Sequence, residues 1–412
     1  MEQYKKDAVI IGGGPAGLAA AVSLKKEGID DILILEREKH LGGILRQCIH
    51  DGFGLTRFKE TLSGPEYSQR FIDEAFRLGI EASTDTCVTD ITPNKEITAI
   101  NRDGIQRISA RAIILAMGCR ERTRGALGIP GSRPSGIYTA GVAQSYLNLH
   151  NTMVGKDIVI LGSGDIGMIM ARRFTLEGAH VKAVFEILPY PSGLPRNIEQ
   201  CLNDYNIPLY LSRTITRIHG KHRVEGVTVS SVDSQLHTIP NTEQYYICDT
   251  LILSVGLIPE NELSLSAGVE LDKRTRGAFV DNYMQTSQPG IFSVGNVLHV
   301  HDLVDFVSLE AEEAAEAVKE YLDYGSLPPA DIPISIGNGI SHVIPQRTSG
   351  KKNFNISLRV ARPMINRSIT VKQEDRVINT IRLRKMNPSE MIHIKAPASR
   401  IRSAEEIKVI VE

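Results

Sequence analysis

Twice in this chain a short apolar run breaks into the spacing G-x-G-x-x-G, and each time a glutamate stands 22 residues after the second glycine. No other feature constrains the fold so tightly, because one repeated pattern implies a strand, an abrupt turn, a helix and a second strand. In the first copy, residues 8–11 lead into Gly12, Gly14 and Gly17, with Pro15 and Ala16 opening a helix over 15–26. Gly12 permits the turn, Gly14 lets a pyrophosphate approach the backbone, and Gly17 lets the helix pack closely on the strand. The helix start offers unpaired N–H groups and partial positive charge to phosphates. Residues 32–35 form the next strand and end in Glu36, placed to accept hydrogen bonds from the ribose of an adenosine.

The second copy runs from residue 158 through Gly162, Gly164, Asp165, Ile166 and Gly167 into a helix over 168–176 and a strand over 181–185 that ends in Glu186. Glu186 would repel a 2′-phosphate and no arginine directly follows it, so NADH is expected over NADPH. Two matched nucleotide modules in one chain are far harder to obtain by chance than one, and a third kind of segment follows them. Residues 331–412 show β-alternation and loop signals without a long helix, and read as a small, mostly β domain.

Bulk properties set the remaining bounds. A chain of 412 residues supports two or three domains, 42% hydrophobic and 23% charged residues are ordinary values, and no apolar run is long enough to span a bilayer. The N-terminus enters the first strand without a signal-like apolar stretch, so a cytoplasmic location is expected. The five cysteines, at 48, 87, 119, 201 and 248, give no C-x-x-C pair, metal cluster or iron–sulfur ligand set. Net charge is −1, but residues 331–412 carry 15 Lys+Arg against 7 Asp+Glu, which is +8, leaving 32 against 41, or −9, in residues 1–330. A basic tail on an acidic body suggests an acidic partner or peripheral contact with an anionic membrane, and equally a solvated face. Nucleic acid is a poor fit, since Phe354 is the tail's only aromatic residue and no binding motif is present.

Between the modules the chain offers fewer signals. Gly42 and Gly43 would let a backbone run close against a flat ligand. Beyond them Arg46, Cys48 and His50 are candidate reactive groups, each with a plainer role as phosphate or helix-end contact, core filler or turn cap. Residues 65–78 read as an amphipathic helix with Tyr67, Phe71, Ala75 and Leu78 on one face, and Asp103-Gly104 as a hairpin turn. Residues 112–116 form a buried strand ending at Ala116 and Gly118; 250–255 form another, ending at Gly256; 291–294 form a third, turning at Gly295-Asn296. A helix follows from Val304 to about residue 321. The short H-x-H-D of His299, His301 and Asp302 reads as helix-capping polar sequence, and no metal site is expected.

These motifs together resemble the flavoproteins with two dinucleotide-binding domains, the pyridine nucleotide-dependent flavin reductases. The resemblance covers residues 7 to about 325. More narrowly, GGILRQCIHDGFG, MGCRERTRGALGIPGSRPSGIYTAGVAQ and GNVLHVHDLVD resemble bacterial FAD-dependent oxidoreductase subunits associated with anaerobic glycerol-3-phosphate dehydrogenase-like proteins and with opine or proline dehydrogenase alpha subunits. The resemblance implies an α/β chain of two Rossmann-like three-layer domains, with FAD held by residues 1–145 and 260–328, NAD(P)H held by an inserted domain at 146–259, and a β-rich domain at 331–412. Arg37, Arg46 and Val88 join the glycines, Glu36, Ala116, Gly118, Gly295, Asn296 and Val304 as expected flavin contacts, and Gly256 joins the NAD set. Asn296 stands where most of the superfamily has an aspartate that holds the ribityl chain, and its amide oxygen is expected to accept in the same way.

The implied activity is an NADH oxidoreductase that passes hydride to the flavin, without a redox disulfide because paired cysteines are lacking. It would serve as an electron-transfer subunit of a dehydrogenase complex, with the helix from Val304 pointing its positive end at the flavin. A first alternative is a dehydrogenase or oxidase of a small amine or hydroxy acid, with His50, His299, His301, Asp302 and Asp305 as substrate or proton-transfer groups. A second is a non-catalytic nucleotide-binding subunit. Oligomerisation stays open.

Overall fold

The computed structural model describes residues 2–412 and divides into two compact units, one made of Met1–Cys119 with Pro259–Glu412, the other of Arg120–Ile258. At the centre of the first unit lies the strand Glu2–Ile11. Ile32–Leu35 and Gly104–Leu115 pair with it on either side, both parallel, with Glu81–Ser83 beyond the former and Ile291–Ser293 beyond the latter. A parallel neighbour requires a crossover, and Pro15–Lys26 is the first one. Its fully buried Ala19, Ala20 and Ala21 let it pack closely on the long helix Val304–Tyr324, whose Ala311, Ala314 and Ala315 are equally buried.

Gly104–Leu115 joins parallel and antiparallel partners within one seven-stranded sheet. Its first half pairs antiparallel with Glu96–Asn101, the hairpin closing at Asn101 and Gly104, while Ile113 to Leu115 pair with Ile291–Ser293. The amphipathic stretch folds as Gly64–Arg77 with Tyr67, Phe71 and Ala75 buried. Ser63 caps it reciprocally with Glu66.

In the second unit five parallel strands run in the order Ile137–Thr139, Thr250–Leu253, Asp157–Leu161, His180–Phe185, Leu209–Tyr210. A three-stranded antiparallel sheet, Arg213–His219, Gly226–Ser231 and Gln244–Ile247, accompanies them. The unit begins at Arg120, not near residue 145, because Ile137–Thr139 pairs with Thr250–Leu253 and the helix Ala140–His150 packs against Asp165–Leu176.

The tail has its own core, in which Phe354, Ile356, Leu358 and Val360 alternate inward along one strand. It clusters with the first unit through buried polar contacts. Gln346 Oε1 accepts from Val280 N and its Nε2 donates to Asp272, both at 2.9 Å, while Asn282 Oδ1 accepts from Ser349 N at 2.8 Å. No helix among the described residues is long and apolar enough to cross a membrane.

Candidate functional site

The two glycine loops are built alike. Gly12 has φ +109° and a Cβ there would lie 2.5 Å from Ala116 O; Gly162 has φ +98° and its Cβ would lie 2.0 Å from Ser254 O. In each module the end of the neighbouring strand therefore demands a glycine. Gly17 is required in the same way, since its Cβ would meet Gly12 O at 1.9 Å, and at Gly167 it would meet Ser254 Cβ at 2.6 Å.

Gly14 is different. Its φ is −80° and the nearest neighbour of an added Cβ, Gly43 Cα, would be 3.9 Å away, so nothing in the protein requires glycine there. The space left at the helix start is where a pyrophosphate would lie. Neither Pro15–Lys26 nor Asp165–Leu176 has a side-chain N-cap, which leaves the first N–H groups open to such an anion. The residues present thus fit a dinucleotide.

Both glutamates are buried and both brace the loop beside them. Glu36 accepts from Gly13 N at 2.7 Å and Glu38 N at 2.8 Å. Glu186 accepts from Ser163 N at 3.0 Å, Ser163 Oγ at 2.7 Å, Ser192 Oγ at 2.8 Å and Leu188 N at 3.0 Å. Each carboxylate thus fixes the residue that follows the first glycine, a role that spacing alone does not reveal.

Around the first loop the structure gathers Gly42, whose N–H donates to Gly13 O at 2.8 Å, with Gly43 beside Gly14, Ala116 bonded to Ile11 O, and Gly295, whose Cβ would meet Ala16 at 2.9 Å. Thr86 donates to Glu36 O, which brings the start of Val88's strand near the acid. Gly118 closes the same strand end as Ala116. Arg46 is half-buried and Arg37 is exposed with Glu38 3.9 Å away, so Arg37 is not drawn into the loop. In the second unit Asp165 accepts from Leu194 N at 2.8 Å and Asn197 Nδ2 at 2.6 Å, Ile166 is half-buried, and Gly256 is exposed beyond its strand.

Residues 6–320 match the family described as pyridine nucleotide-disulphide oxidoreductase. The chain belongs to this family. The match stops short of the β-rich tail. Similar proteins include the glutamate synthase [NADPH] small chain of Escherichia coli, 25% identical over 78% of this chain and 70% of its own length, and the benzene 1,2-dioxygenase system ferredoxin–NAD(+) reductase subunit of Pseudomonas putida, 30% identical over 70% and 66%. An opine oxidase subunit of Agrobacterium tumefaciens is 23% identical over 70% of this chain and 61% of its own. Thioredoxin reductase of T. acidophilum shares the fold, with a TM-score of 0.64 and 24% identity over 77% of this chain and 98% of that one. As a family member the chain is an FAD-dependent NAD(P)H oxidoreductase.

The candidate reactive side chains fare unevenly. Burial pushes the Cys48 thiol up to about 12, and its Sγ lies 3.4 Å from Ile44 O. At neutral pH it is a thiol rather than a nucleophilic thiolate. His50 lies with Nδ1 3.1 Å from Asp51 O and its ring 4.9 Å from Phe53.

His299 and His301 do not cap the helix as their polar sequence suggests; they pair with Glu310 on its second turn. His299 Nε2 is 2.7 Å and His301 Nε2 3.3 Å from Glu310 Oε2, with side-chain exposures of 1%, 2% and 8%. Among the described residues this group brings three metal-type donors together. The 2.7 Å His299 contact is that of a hydrogen bond, shorter than the roughly 3.3 Å between two ligands of one tetrahedral zinc ion. Despite burial, the two histidines hold the Glu310 carboxyl far below its usual range.

One contributor, Glu310, escaped the sequence reading, and Asp305 takes a different part from the substrate or proton-transfer role expected of it. Glu310 hides in an acidic, alanine-rich helix, and only its distance of 11 residues from His299, with the turn between, brings them together. Asp305, in the first turn of that helix, accepts from Gly54 N at 3.0 Å, Thr56 N at 3.0 Å and Arg57 N at 2.6 Å. This buried carboxylate offsets part of the positive field expected at the helix start near Val304.

Proposed function

We propose that this chain is the NADH-oxidising flavoprotein subunit of a dehydrogenase complex and works without a redox disulfide. The observation that carries the reading is Gly14, where no protein contact requires glycine and a pyrophosphate would use the opening, at the head of a loop braced by Glu36. Gly12, Gly14, Gly17, Gly42, Gly43, Ala116, Gly118 and Gly295 would hold FAD, which when bound supplies two-electron chemistry with a nicotinamide. Gly162, Gly164, Gly167 and Glu186 would hold NADH. Glu186 supports NADH over NADPH because its buried carboxylate, fixed by Ser163 and Ser192, cannot turn away from a 2′-phosphate without abandoning four hydrogen bonds.

No disulfide joins any of the cysteines among the described residues, and the thiols of Cys48, Cys201 and Cys248 are pushed up by burial, which supports flavin chemistry without a dithiol. The burial of His299 and His301 argues against their acting as proton-transfer groups on an organic substrate. Several relatives are named as subunits or small chains, which supports a partner that carries the electrons onward.

The test is an anaerobic titration of the purified chain, reconstituted with FAD, first with NADH and then with NADPH. Bleaching by NADH at lower concentration than by NADPH is expected. A chain that takes up no FAD sinks the cofactor assignment, and reduction by a small amine or hydroxy acid without NADH would transfer the reading to a direct dehydrogenase.

A further inference from the structure

The turn after Ile291–Ser293 carries a polar network that the cofactor reading leaves unused. Asn296 Oδ1 accepts the His301 backbone N–H at 3.0 Å, and His301 Nδ1 lies 3.3 Å from the same oxygen. A backbone N–H can only donate, so this contact fixes which end of the amide is oxygen. The other end, the NH₂ group, faces Cys119 Sγ at 3.6 Å. Cys119 directly follows Gly118, so the amide spans the ends of two neighbouring parallel strands.

Behind the turn stands Glu310. Its Oε1 accepts from Gly295 N at 2.7 Å, while its Oε2 faces the Nε2 atoms of both histidines. His301 therefore has its ring Nε2 against Glu310 and its backbone N–H held by Asn296. It has no room to release the amide, because its side chain is buried.

We propose that Glu310 and His301 are positioning residues that lock the Asn296 amide with its NH₂ end toward the flavin cradle, so that this turn gives FAD a neutral donor. This rests on the FAD reading above. It departs from the expectation that Asn296 accepts a hydrogen bond from the cofactor, since its oxygen already accepts the His301 backbone N–H and lies against the His301 ring. The two polarities predict opposite signs for one substitution. Asn296→Asp keeps an oxygen for the His301 N–H but replaces the donor with an anionic acceptor, which would face the oxygen-rich part of the cofactor. If instead the turn is required to accept, the same change strengthens binding.

The experiment measures FAD affinity by flavin fluorescence on the deflavinated full chain, for the native protein, Asn296→Asp, Glu310→Gln and the double variant. Thermal unfolding of each deflavinated protein reports whether it is folded. Asn296→Asp is expected to bind FAD roughly five- to a hundredfold more weakly. In the Glu310→Gln background, where the lock is loosened, that penalty is expected to shrink at least threefold, a coupling that a merely structural role does not produce. Unchanged or tighter binding by Asn296→Asp overturns the donor assignment, and an equal penalty in both backgrounds overturns the positioning role. Should Glu310→Gln not fold, His301→Ala takes its place with the same two outcomes. A native chain that binds no FAD defeats the cofactor reading, whereas native binding with no response to Asn296→Asp defeats this inference alone.

Discussion

A single methyl group separates the glycines that serve the fold from the one that serves a ligand. Gly12→Ala forces a Cβ to 2.5 Å from Ala116 O at φ +109°, and is expected to cost about 3 kcal/mol of stability with or without cofactor. Gly14→Ala meets open space at φ −80°, so the deflavinated protein should unfold within about 1 kcal/mol of the native one while FAD affinity falls at least tenfold. Chemical denaturation beside flavin titration reads both, and loss of stability in Gly14→Ala would mean that the protein itself requires that glycine. The brace behind the loop makes a separate prediction. Glu36→Gln places an NH₂ group against either Gly13 N–H or Glu38 N–H, two donors facing each other. About 1–3 kcal/mol should be lost in the absence of any nucleotide. An unaltered deflavinated Glu36→Gln would return this residue to a purely ligand-facing role.

Among the elements, the long helix Val304–Tyr324 connects most of the first site, and it does so through side chains on its first two turns. Asp305 holds the backbone of Gly54, Thr56 and Arg57, and the Arg57 guanidinium reaches Glu312 at 2.8 Å about two turns further on. Asp305→Ala removes acceptors from three N–H groups, and about 3 kcal/mol of local stability should go with them. Amide hydrogen exchange at residues 54–57 would show the loss as accelerated exchange, while the strand Glu2–Ile11 stays protected. Uniform acceleration everywhere would make Asp305 a global rather than a local support. The contrast with the glycine motifs explains what a linear reading could reach. Strand, turn, helix and acid in each module lie within about thirty residues, so local periodicity and spacing determine them. The β-rich tail was legible from its alternation for the same reason. Clamp and network were not, because Asp305 meets Gly54 across 251 positions and Glu310 meets Gly295 only after the helix has turned back on the strand end. The start of the second unit was misplaced for a related cause, since the three-residue strand Ile137–Thr139 takes its sheet from a partner more than a hundred residues away.

At the scale of the whole molecule, acid sensitivity follows from where the buried titrating groups collect. Burial, aided by neighbouring His301, holds His299 down to about 4; burial holds His342 of the tail down to about 3, with His299 and Arg359 adding to it, and also lowers His393. Burial raises Asp281 to about 6 against the pull of the Tyr283 and Gln285 N–H groups and Arg347. The histidines are depressed below their ordinary 6.5, so on acidification the unfolded chain takes up their protons first and stability falls as pH drops below about 6.5. Asp281 works the other way. The folded chain takes its proton near 6 and the unfolded chain only near 4, so stability rises on the same descent. Between pH 6 and 4 the unfolded state therefore leads by two protons on His299 and His342 and lags by one on Asp281, a net of one to which His393 adds a part. Stability should fall by about 1–2 kcal/mol per pH unit across that window. Glu310, held far below its usual range, adds its own loss only in stronger acid. Urea unfolding at pH 7, 6, 5 and 4 measures the slope. His342→Gln should flatten it by about one proton and Asp281→Asn should steepen it by about one, whereas a native slope near zero, or variants that leave it unchanged, would place the acid-sensitive groups elsewhere. Asp281 sits where the tail meets the rest of its unit, with Gln346 and Ser349 bonded to Val280 and Asn282 on either side of it. Acid should accordingly loosen the tail's docking before it opens the parallel sheet around Glu2–Ile11, and proteolysis at pH 4.5 should cut between the helix Val304–Tyr324 and the strand Ile332–Ile336 first.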